Sequence, residues 1–292
     1  MPPEVAITLP WHHNRRVRAR IGAAISYGAL AVGGVLFLLP LFWQFSTSLK
    51  TSADTMVYPP VWFPWPPQWS NYGELFERFP FWRYAANSLF VTTLVITGTL
   101  LSSSLAAYGF ARLRMPCRDL IFVALLSTLM LPSIVLIVPQ FILFQRFQWI
   151  DTYYPMIVPA FFGSPFAIFL LRQFFLSIPR DLEDAARIDG AGYFRIYWQI
   201  IMPLSVPALV AVAIYTFLAS WNDFLTPLLY LSDERTYTVA VALRFLSGSM
   251  RSAPEHHLLM AATTLSILPC ILLFLVAQRW FIQGIVVTGS KG

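Results

Sequence analysis

The residues best suited to specific chemistry lie at positions 182–203, in the stretch LEDAARIDGAGYFRIYWQIIMP. Pro179 is a favourable residue near the start of a helix, and Asp181, Glu183 and Asp184 follow, where carboxylates complement the positive end of the helix dipole. Gly190 stands where a helix often ends in a left-handed residue. The stretch therefore predicts a short acidic helix, a glycine turn and a second short helix over Tyr193–Ile200.

The chemistry that this stretch offers is recognition of another protein. Its first helix carries a small apolar face, formed by Leu182, Ala185, Ala186 and Ile188. A helix that lies on lipid usually has Lys and Arg on its polar face, whereas this one is net negative and is repelled by an anionic leaflet. A plain solvated loop would not need the apolar face or the glycine. We therefore expect the helix to bind in a groove of a partner protein, with Ala and Ile as anchors.

Catalytic and metal chemistry find little support elsewhere in the chain. A phosphate-binding P-loop needs a Lys followed by Ser or Thr after a glycine-rich run, and neither Lys50 nor Lys291 has that context. The histidines form two adjacent pairs, at 12–13 and 256–257, and neighbouring residues on a helix point apart. We expect no catalytic residues, no metal site and no nucleotide site in this chain, and so a protein that is not an enzyme.

Hydrophobic helices must position the acidic stretch. The chain is 57% hydrophobic and 12% charged, whereas a soluble domain carries about 25% charged residues. Six runs approach or exceed the roughly 20 apolar residues that a spanning helix needs. They are Ile21–Phe45, Tyr84–Phe110, Leu120–Phe144, Tyr153–Leu171, Leu204–Leu231 and Leu258–Ala277. We predict an all-α membrane protein with six transmembrane helices.

The charge distribution predicts the orientation of these helices. Of the 20 Lys and Arg residues, 13 fall on the side shared by both termini, which is therefore predicted to be cytoplasmic. This asymmetry explains the net charge of +6 without nucleic acid. The predicted parts are an N-terminal tail (1–20), a six-span domain (21–287) with an outer loop (46–83) and a cytoplasmic loop (177–203), and a C-terminal tail (288–292).

The single charged residue within the predicted spans is Asp223, which follows Trp221 and Asn222. A proton-coupled transporter needs several buried ionisable residues as a relay, so this composition disfavours one. Two interpretations of these three residues stay open. They form an interfacial helix end, where Trp is common, or they line the outer mouth of a transport pathway.

The outer loop and the two cysteines say less about function. The outer loop contains YPPVWFPWPPQW, which predicts an extended, irregular segment that lies at the membrane interface or docks an external partner. Cys117 falls in a loop and Cys270 within the last span, so no disulfide is expected.

The acidic stretch resembles the EAA loop of permease subunits of ABC import systems. Asp184, Ala185 and Ala186 match E-A-A; Asp189, Gly190 and Ala191 match D-G-A; Pro203 and Pro207 match the two later prolines. Two positions depart from the pattern: Asp184 replaces Glu, with Glu183 adjacent, and Met202 replaces Leu. Both keep the chemical character of the usual residue.

Further stretches resemble the carbohydrate uptake branch, and in particular its second, smaller permease, as in maltose-type systems. They are NSL at 87–89, AAYGFARL at 106–113, LPSIVLIVPQF at 131–141, WNDF at 221–224 and QGIVVTGSKG at 283–292. The resemblance implies the type I ABC importer permease fold in a bacterial cytoplasmic membrane. It implies that residues 183–186 and 189–191 couple to ATPase subunits.

The resemblance also implies partners: a second permease subunit, two ABC ATPase subunits and an extracytoplasmic solute-binding protein. ATP and Mg would be bound by the ATPases, with no cofactor on this chain. No Lys or Arg lies within a predicted span, which favours neutral cargo, hence a sugar or oligosaccharide. Polyols, glycerol-phosphate-type and other small solutes stay open as cargo, and a secondary transporter stays open as a less favoured class.

Overall fold

The computed structural model describes residues 15–248 and 255–289. These residues are helical or irregular, and they contain no β-strand. The helices are, in chain order, α1 Arg15–Ser48, α2 Ser70–Arg78, α3 Phe81–Arg112, α4 Arg118–Ser127, α5 Ser133–Arg146, α6 Tyr154–Ile157, α7 Pro165–Ser177, α8 Asp181–Ile188, α9 Tyr193–Ile196, α10 Met202–Leu204, α11 Val206–Trp221, α12 Leu225–Tyr230, α13 Val239–Leu246 and α14 His256–Gly289.

The helices that could cross a membrane confirm the all-α membrane class. Four segments in the described chain are long and apolar enough: Ala19–Ser48, Phe81–Arg112, Tyr154–Ser177 and His256–Gln278. Two bent helix pairs bring the number to six if each pair is one span. The predicted tails, 1–20 and 288–292, lie mostly outside the described residues, as do His12 and His13.

The third and fifth predicted spans are not continuous helices, and this corrects the sequence-based expectation. The segments Arg118–Met130 and Ser133–Arg146 meet at 97°, and Tyr193–Leu204 and Val206–Trp221 meet at 77°. The first bend falls at Pro132, which has no N–H to donate and which holds Leu131 in an extended conformation. Hydropathy reports the length of an apolar run but not its direction, so it does not reveal such bends.

Helix α3 is the centre of the bundle and packs against α7, α11 and the 3₁₀ segment Val158–Phe162. Ser103, Ala107 and Ala111 are fully buried and recur every four residues, so one face of α3 is lined by small side chains. Small residues let helix backbones approach closely within a membrane. On the far side of the bundle, α1 packs along α14.

Gly98 allows the closest of these approaches. A Cβ built at this position would lie 2.6 Å from Cδ2 of the Phe161 ring. We expect Gly98→Ala to lower the free energy of unfolding by about 1–3 kcal/mol, because the ring or the 3₁₀ segment must shift. The measurement is the thermal unfolding midpoint of the purified protein in detergent.

Gly109→Ala is the matched control for Gly98→Ala. Gly109 lies on the same helix, and a Cβ there would meet nothing within 4 Å. This variant should be neutral or slightly stabilising, because Ala is the better helix former. Equal midpoints for the two variants would contradict the proposed close approach.

The bundle has two ends that differ in structure. At one end, which we call the loop face, α3 and α7 finish and α8 follows. The opposite face carries α2, α13 and the segment between α1 and α2, which is irregular apart from a short 3₁₀ helix at Ala53–Thr55, as its prolines predict. There the Asn71 side chain donates to the backbone oxygens of Ser48 and Lys50, both at 2.8 Å, and so fixes α2 to the end of α1.

Candidate functional site

The acidic stretch forms two short helices separated by a glycine turn, as the sequence predicts. Helix α8 ends in a turn where Ala191 N–H donates to Ala186 O (2.9 Å) and Gly190 N–H donates to Arg187 O (3.0 Å). Gly190 has φ +80°. These two hydrogen bonds and the left-handed residue form a Schellman motif, which fixes the direction of the chain after the helix. The predicted left-handed glycine is confirmed.

A buried ion pair attaches α8 to the end of α3. Arg112 Nε and Glu183 Oε1 lie 2.7 Å apart, and the two side chains are 2% and 3% exposed. The Arg112 Nη2 group donates to the backbone oxygens of Phe175 (2.5 Å) and Ile178 (2.7 Å) at the end of α7. One guanidinium therefore joins α3, α7 and α8.

Further contacts hold the chain that follows α8. The hydroxyls of Ser104 and Tyr197 lie 2.7 Å apart in the interior, and the Tyr108 hydroxyl donates to Tyr193 O at 3.3 Å. Ala186 and Ala191 pack against the buried core formed by α3, α7 and α11. The π-helical turn Tyr197–Ile201 then leads into the bend before α11. The segment is thus fixed to three membrane helices.

The outward side of the segment is apolar and uncovered. Ile188 is 87% exposed and Phe194 is 72% exposed, and Leu182, Tyr193 and Trp198 are also exposed. Beside them lies a cavity of about 680 Å³ with charged walls that include Arg114, Arg180 and Asp184. An exposed apolar patch with a charged rim is typical of a protein interaction surface.

The predicted coupling residues divide into two groups. Glu183 is buried, while Ala186 and Ala191 are half-buried and pack inward. The exposed members are Asp184, Ala185, Asp189 and Gly190. Asp184 Oδ1 lies 3.1 Å from Arg187 Nη1 on the same helix. The adjacent acids therefore differ: Glu183 faces the bundle, and Asp184 faces out.

Sequence reasoning missed the residues that hold the segment in place. Arg112, Ser104, Tyr108 and Tyr197 all contact it, and none was selected as a site residue. In the sequence, Arg112 is one of the basic residues that predict topology and part of the stretch AAYGFARL, and neither observation assigns it a partner. The one available signal was its position in FARL, directly after an apolar run, but no spacing rule pairs it with an acid 71 positions later.

The other predicted site residues, Trp221, Asn222 and Asp223, lie where α11 ends, and they point in different directions. Trp221 is buried, stacks on Phe217 and donates its Nε1–H to Ser266 O (3.1 Å), so it packs against α14. The exposed Asn222 side chain donates to Leu218 O (2.8 Å). Asp223 lies in the break between α11 and α12, so the predicted fifth span is interrupted at this residue.

Asp223 lines a cavity of about 270 Å³ between α3, α6, α11 and α12. Its Oδ1 accepts from Thr226 N–H (3.2 Å) at the start of α12. The cavity wall also contains six hydroxyl side chains: Ser88, Thr92, Thr216, Ser220, Thr226 and Thr238. Of the three predicted pathway residues, only Asp223 lines this cavity.

Hydrogen bonds made by Asp151 connect the loops next to α6 and α12, two helices that line this cavity. Asp151 N–H donates to Tyr230 O (2.7 Å), and Asp151 Oδ1 accepts from the backbone N–H groups of Ser232 (2.9 Å) and Asp233 (3.0 Å). The hydrogen bonds from Asp233 and Ser232 lower the pKa of the Asp151 carboxyl. The loop before α6 is thereby tied to the loop after α12.

The fold and the site define a multi-span membrane protein in which a short helical segment, with an exposed apolar surface, is fixed to the membrane helices. Residues 98–287, more than half of the chain, match the family model described as the inner membrane component of binding-protein-dependent transport systems. The chain belongs to this family of membrane transport subunits.

Relatives with assigned names align over most of the chain. The sn-glycerol-3-phosphate transport system permease protein UgpE of Yersinia enterocolitica is 33% identical over 263 residues, covering 88% of this chain and 93% of UgpE. The arabinooligosaccharides transport system permease protein AraQ of Halalkalibacterium halodurans is 33% identical, covering 90% and 92%. The diacetylchitobiose uptake system permease protein NgcG of Streptomyces coelicolor is 32% identical, covering 88% and 85%.

A solved structure confirms the fold. A chain from the crystal structure of a bacterial ABC transporter involved in the import of the acidic polysaccharide alginate superposes with a TM-score of 0.81. The match covers 94% of this chain and 100% of that chain at 23% identity. The predicted ABC importer permease fold is therefore confirmed.

Proposed function

We propose that this chain is one of two permease subunits of a binding-protein-dependent ABC importer, and that it forms half of the translocation pathway for a sugar or oligosaccharide. The observation that carries the proposal is the attachment of an exposed docking helix to the membrane helices. Residues 183–186 and 189–191 are the proposed coupling residues, and the exposed apolar residues of α8, Leu182 and Ile188, are the proposed contact with an ATPase subunit.

The contacts of α8 support a mechanism in which movement of this helix is transmitted to the membrane helices. When the ATPase subunits close, they would displace α8 relative to the membrane. Because Arg112 joins Glu183 to the ends of α3 and α7, that displacement reaches two membrane helices directly. The chain after Gly190 carries it to the bend before α11. A mobile loop would absorb such a displacement, whereas a capped helix on a buried ion pair transmits it.

The orientation and the partners follow from the same proposal. The loop face would be cytoplasmic, with both termini on that side of a bacterial cytoplasmic membrane. ATP and Mg would be bound by two partner ATPase subunits, with no cofactor on this chain. A second permease subunit would complete the pathway, and an extracytoplasmic solute-binding protein would dock on the opposite face.

Two observations support a sugar as the cargo. The first is the names of two relatives, and the second is the lack of cationic side chains among the described residues that line the cavity at Asp223. Two of the relatives named above are permeases for oligosaccharides, namely AraQ and NgcG. UgpE is named for a phosphate ester, an anion, for which cationic groups along the pathway would be favourable. No Lys or Arg lines the cavity at Asp223 among the residues that the structure describes. Polyols and other small solutes are the alternative cargo.

Co-purification tests the proposed assembly. The tagged chain would be extracted gently from its native membrane, and the proteins that accompany it identified. We expect a second permease and an ATPase subunit, with the ATPase lost when Ile188, on the exposed face, is replaced by Glu. A chain that purifies without any ATPase would contradict the proposal.

Transport into proteoliposomes tests the cargo. The complete importer, supplied with its solute-binding protein and internal ATP, would be offered maltose, cellobiose, diacetylchitobiose and sn-glycerol 3-phosphate separately. We expect ATP-dependent uptake of at least one neutral sugar. Uptake of sn-glycerol 3-phosphate alone would overturn sugar as the cargo, and uptake driven by a proton gradient without ATP would overturn the transporter class.

A further inference from the structure

The cavity at Asp223 has a composition that matches a hydroxylated ligand. Six of its wall side chains carry hydroxyls, each of which both donates and accepts hydrogen bonds. The one ionisable group among its described lining residues is the Asp223 carboxylate, which only accepts. Such a wall complements a neutral molecule with many hydroxyl groups and opposes an anion.

Some of these polar groups are available to a ligand. Thr238 is 6% exposed, and its Oγ1 is buried with no hydrogen-bond partner within the described ranges. Thr238 stands at the start of α13, where a Thr hydroxyl often caps the helix, yet this one does not. The following N–H, that of Val239, donates instead to Ser88 Oγ (2.8 Å), which brings Thr238 against the cavity. A buried hydroxyl without a partner is costly, so an occupant that bonds to it is favoured.

The size and position of the cavity limit what fits. Its volume of about 270 Å³ is close to the lower limit of about 300 Å³ for small-molecule pockets. It accommodates one sugar unit and not a whole oligosaccharide. It lies where α11 ends and α3 begins, toward the opposite face of the bundle from α8.

We propose that this cavity is a binding site for one neutral, polyhydroxylated unit of the cargo, with Asp223 and Thr238 as its specificity-determining residues. The inference rests on the proposed sugar importer and adds a solute contact within this subunit. Asp223 accepts hydrogen bonds from ligand hydroxyls through the oxygen that does not cap α12. Thr238 bonds to the same ligand from the facing wall.

The test uses the complete importer in proteoliposomes with saturating solute-binding protein. The probe is whichever of maltose, cellobiose or diacetylchitobiose the wild type accumulates fastest. Asp223→Asn keeps a side-chain oxygen that can cap α12 but removes the charge, whereas Asp223→Ala removes both. Thr238→Val removes the hydroxyl at nearly constant shape. Thr97→Val, which removes an exposed hydroxyl on α3 outside the cavity, is the matched control.

We expect Asp223→Asn to lower the initial uptake rate about tenfold, as the loss of a charged hydrogen bond implies, and Thr238→Val to lower it by a factor of about five. Thr97→Val should match the wild type. The ATPase rate stimulated by the loaded binding protein should be unchanged in all variants, because the coupling segment is intact. This pattern would support the site.

Other outcomes overturn the inference in distinguishable ways. If Asp223→Asn and Thr238→Val transport like the wild type, the cavity holds only water. If Asp223→Ala alone is impaired, Asp223 is only a helix cap. A loss of stimulated ATPase activity together with uptake would show a structural role. If the wild type accumulates no neutral sugar, the proposed cargo fails as well, and the cavity inference falls with it.

Discussion

Replacing Arg112 with alanine should have the largest effect of any single change in this chain. The variant removes the closest partner of the buried Glu183 carboxylate, which keeps only Arg187 Nη2 at 3.6 Å, and it removes the hydrogen bonds to Phe175 O and Ile178 O. Removal of one partner from a buried ion pair typically costs about 3–5 kcal/mol. We expect the thermal unfolding midpoint of the purified permease pair to fall by about 6–20 °C, and the yield of assembled complex to fall with it.

A graded series separates the ion pair from other causes of instability. Glu183→Gln keeps the shape of the side chain and removes its charge, so it should be less damaging than Arg112→Ala. Asp184→Asn is the matched control, because Asp184 is the next residue, is exposed, and pairs only with Arg187 on the surface. Exposed pairs contribute about 0–1 kcal/mol, so this variant should unfold like the wild type. If Asp184→Asn were as unstable as Glu183→Gln, burial would not explain the difference.

This contrast shows where the sequence-based assignment was limited. The resemblance aligned Asp184 with the acidic position of the motif and treated Glu183 as its neighbour. In the structure Glu183 holds the helix to α3, while Asp184 faces out. Position along a helix could not decide between them, since the deciding fact is which side α3 occupies. That fact depends on a tertiary contact with Arg112, which one sequence does not reveal.

Local features were predicted more successfully than directions in space. Side-chain periodicity predicts the short helix and the apolar runs, and glycine stereochemistry predicts the end of the helix at Gly190. Both effects act within a few residues. Neither predicts the 97° bend at Pro132 or the break after Trp221. A proline within a membrane helix can be accommodated without a bend, so only packing decides the outcome. The predicted fifth span runs past Asp223 for this reason: the apolar neighbours of Asp223 extend the run beyond the end of the helix.

Gly190→Val should uncouple ATP hydrolysis from transport or prevent the ATPase from binding. At φ +80° a valine is strained, because its branched Cβ meets the backbone in the left-handed region, at a cost of at least about 1–2 kcal/mol. A Cβ at this position would meet nothing within 4 Å, so the effect is conformational and not a matter of crowding. The chain would leave the Schellman turn and re-aim Tyr193 and Phe194 on the exposed face. The measurements are uptake per ATP hydrolysed in proteoliposomes and the amount of ATPase that co-purifies.

Two substitutions show whether the turn itself is responsible. Gly190→Asn places a side chain at the same position, but Asn tolerates the left-handed region, so it should retain most coupling. Gly192→Ala removes a glycine two positions later, where φ is −76° and a Cβ is equally unobstructed, so it should behave like the wild type. Because Gly190 is exposed and contributes little to the core, global stability should change less than in Arg112→Ala while coupling falls sharply. That separation of stability from coupling is what a force-transmitting turn requires, and normal uptake in Gly190→Val would contradict it.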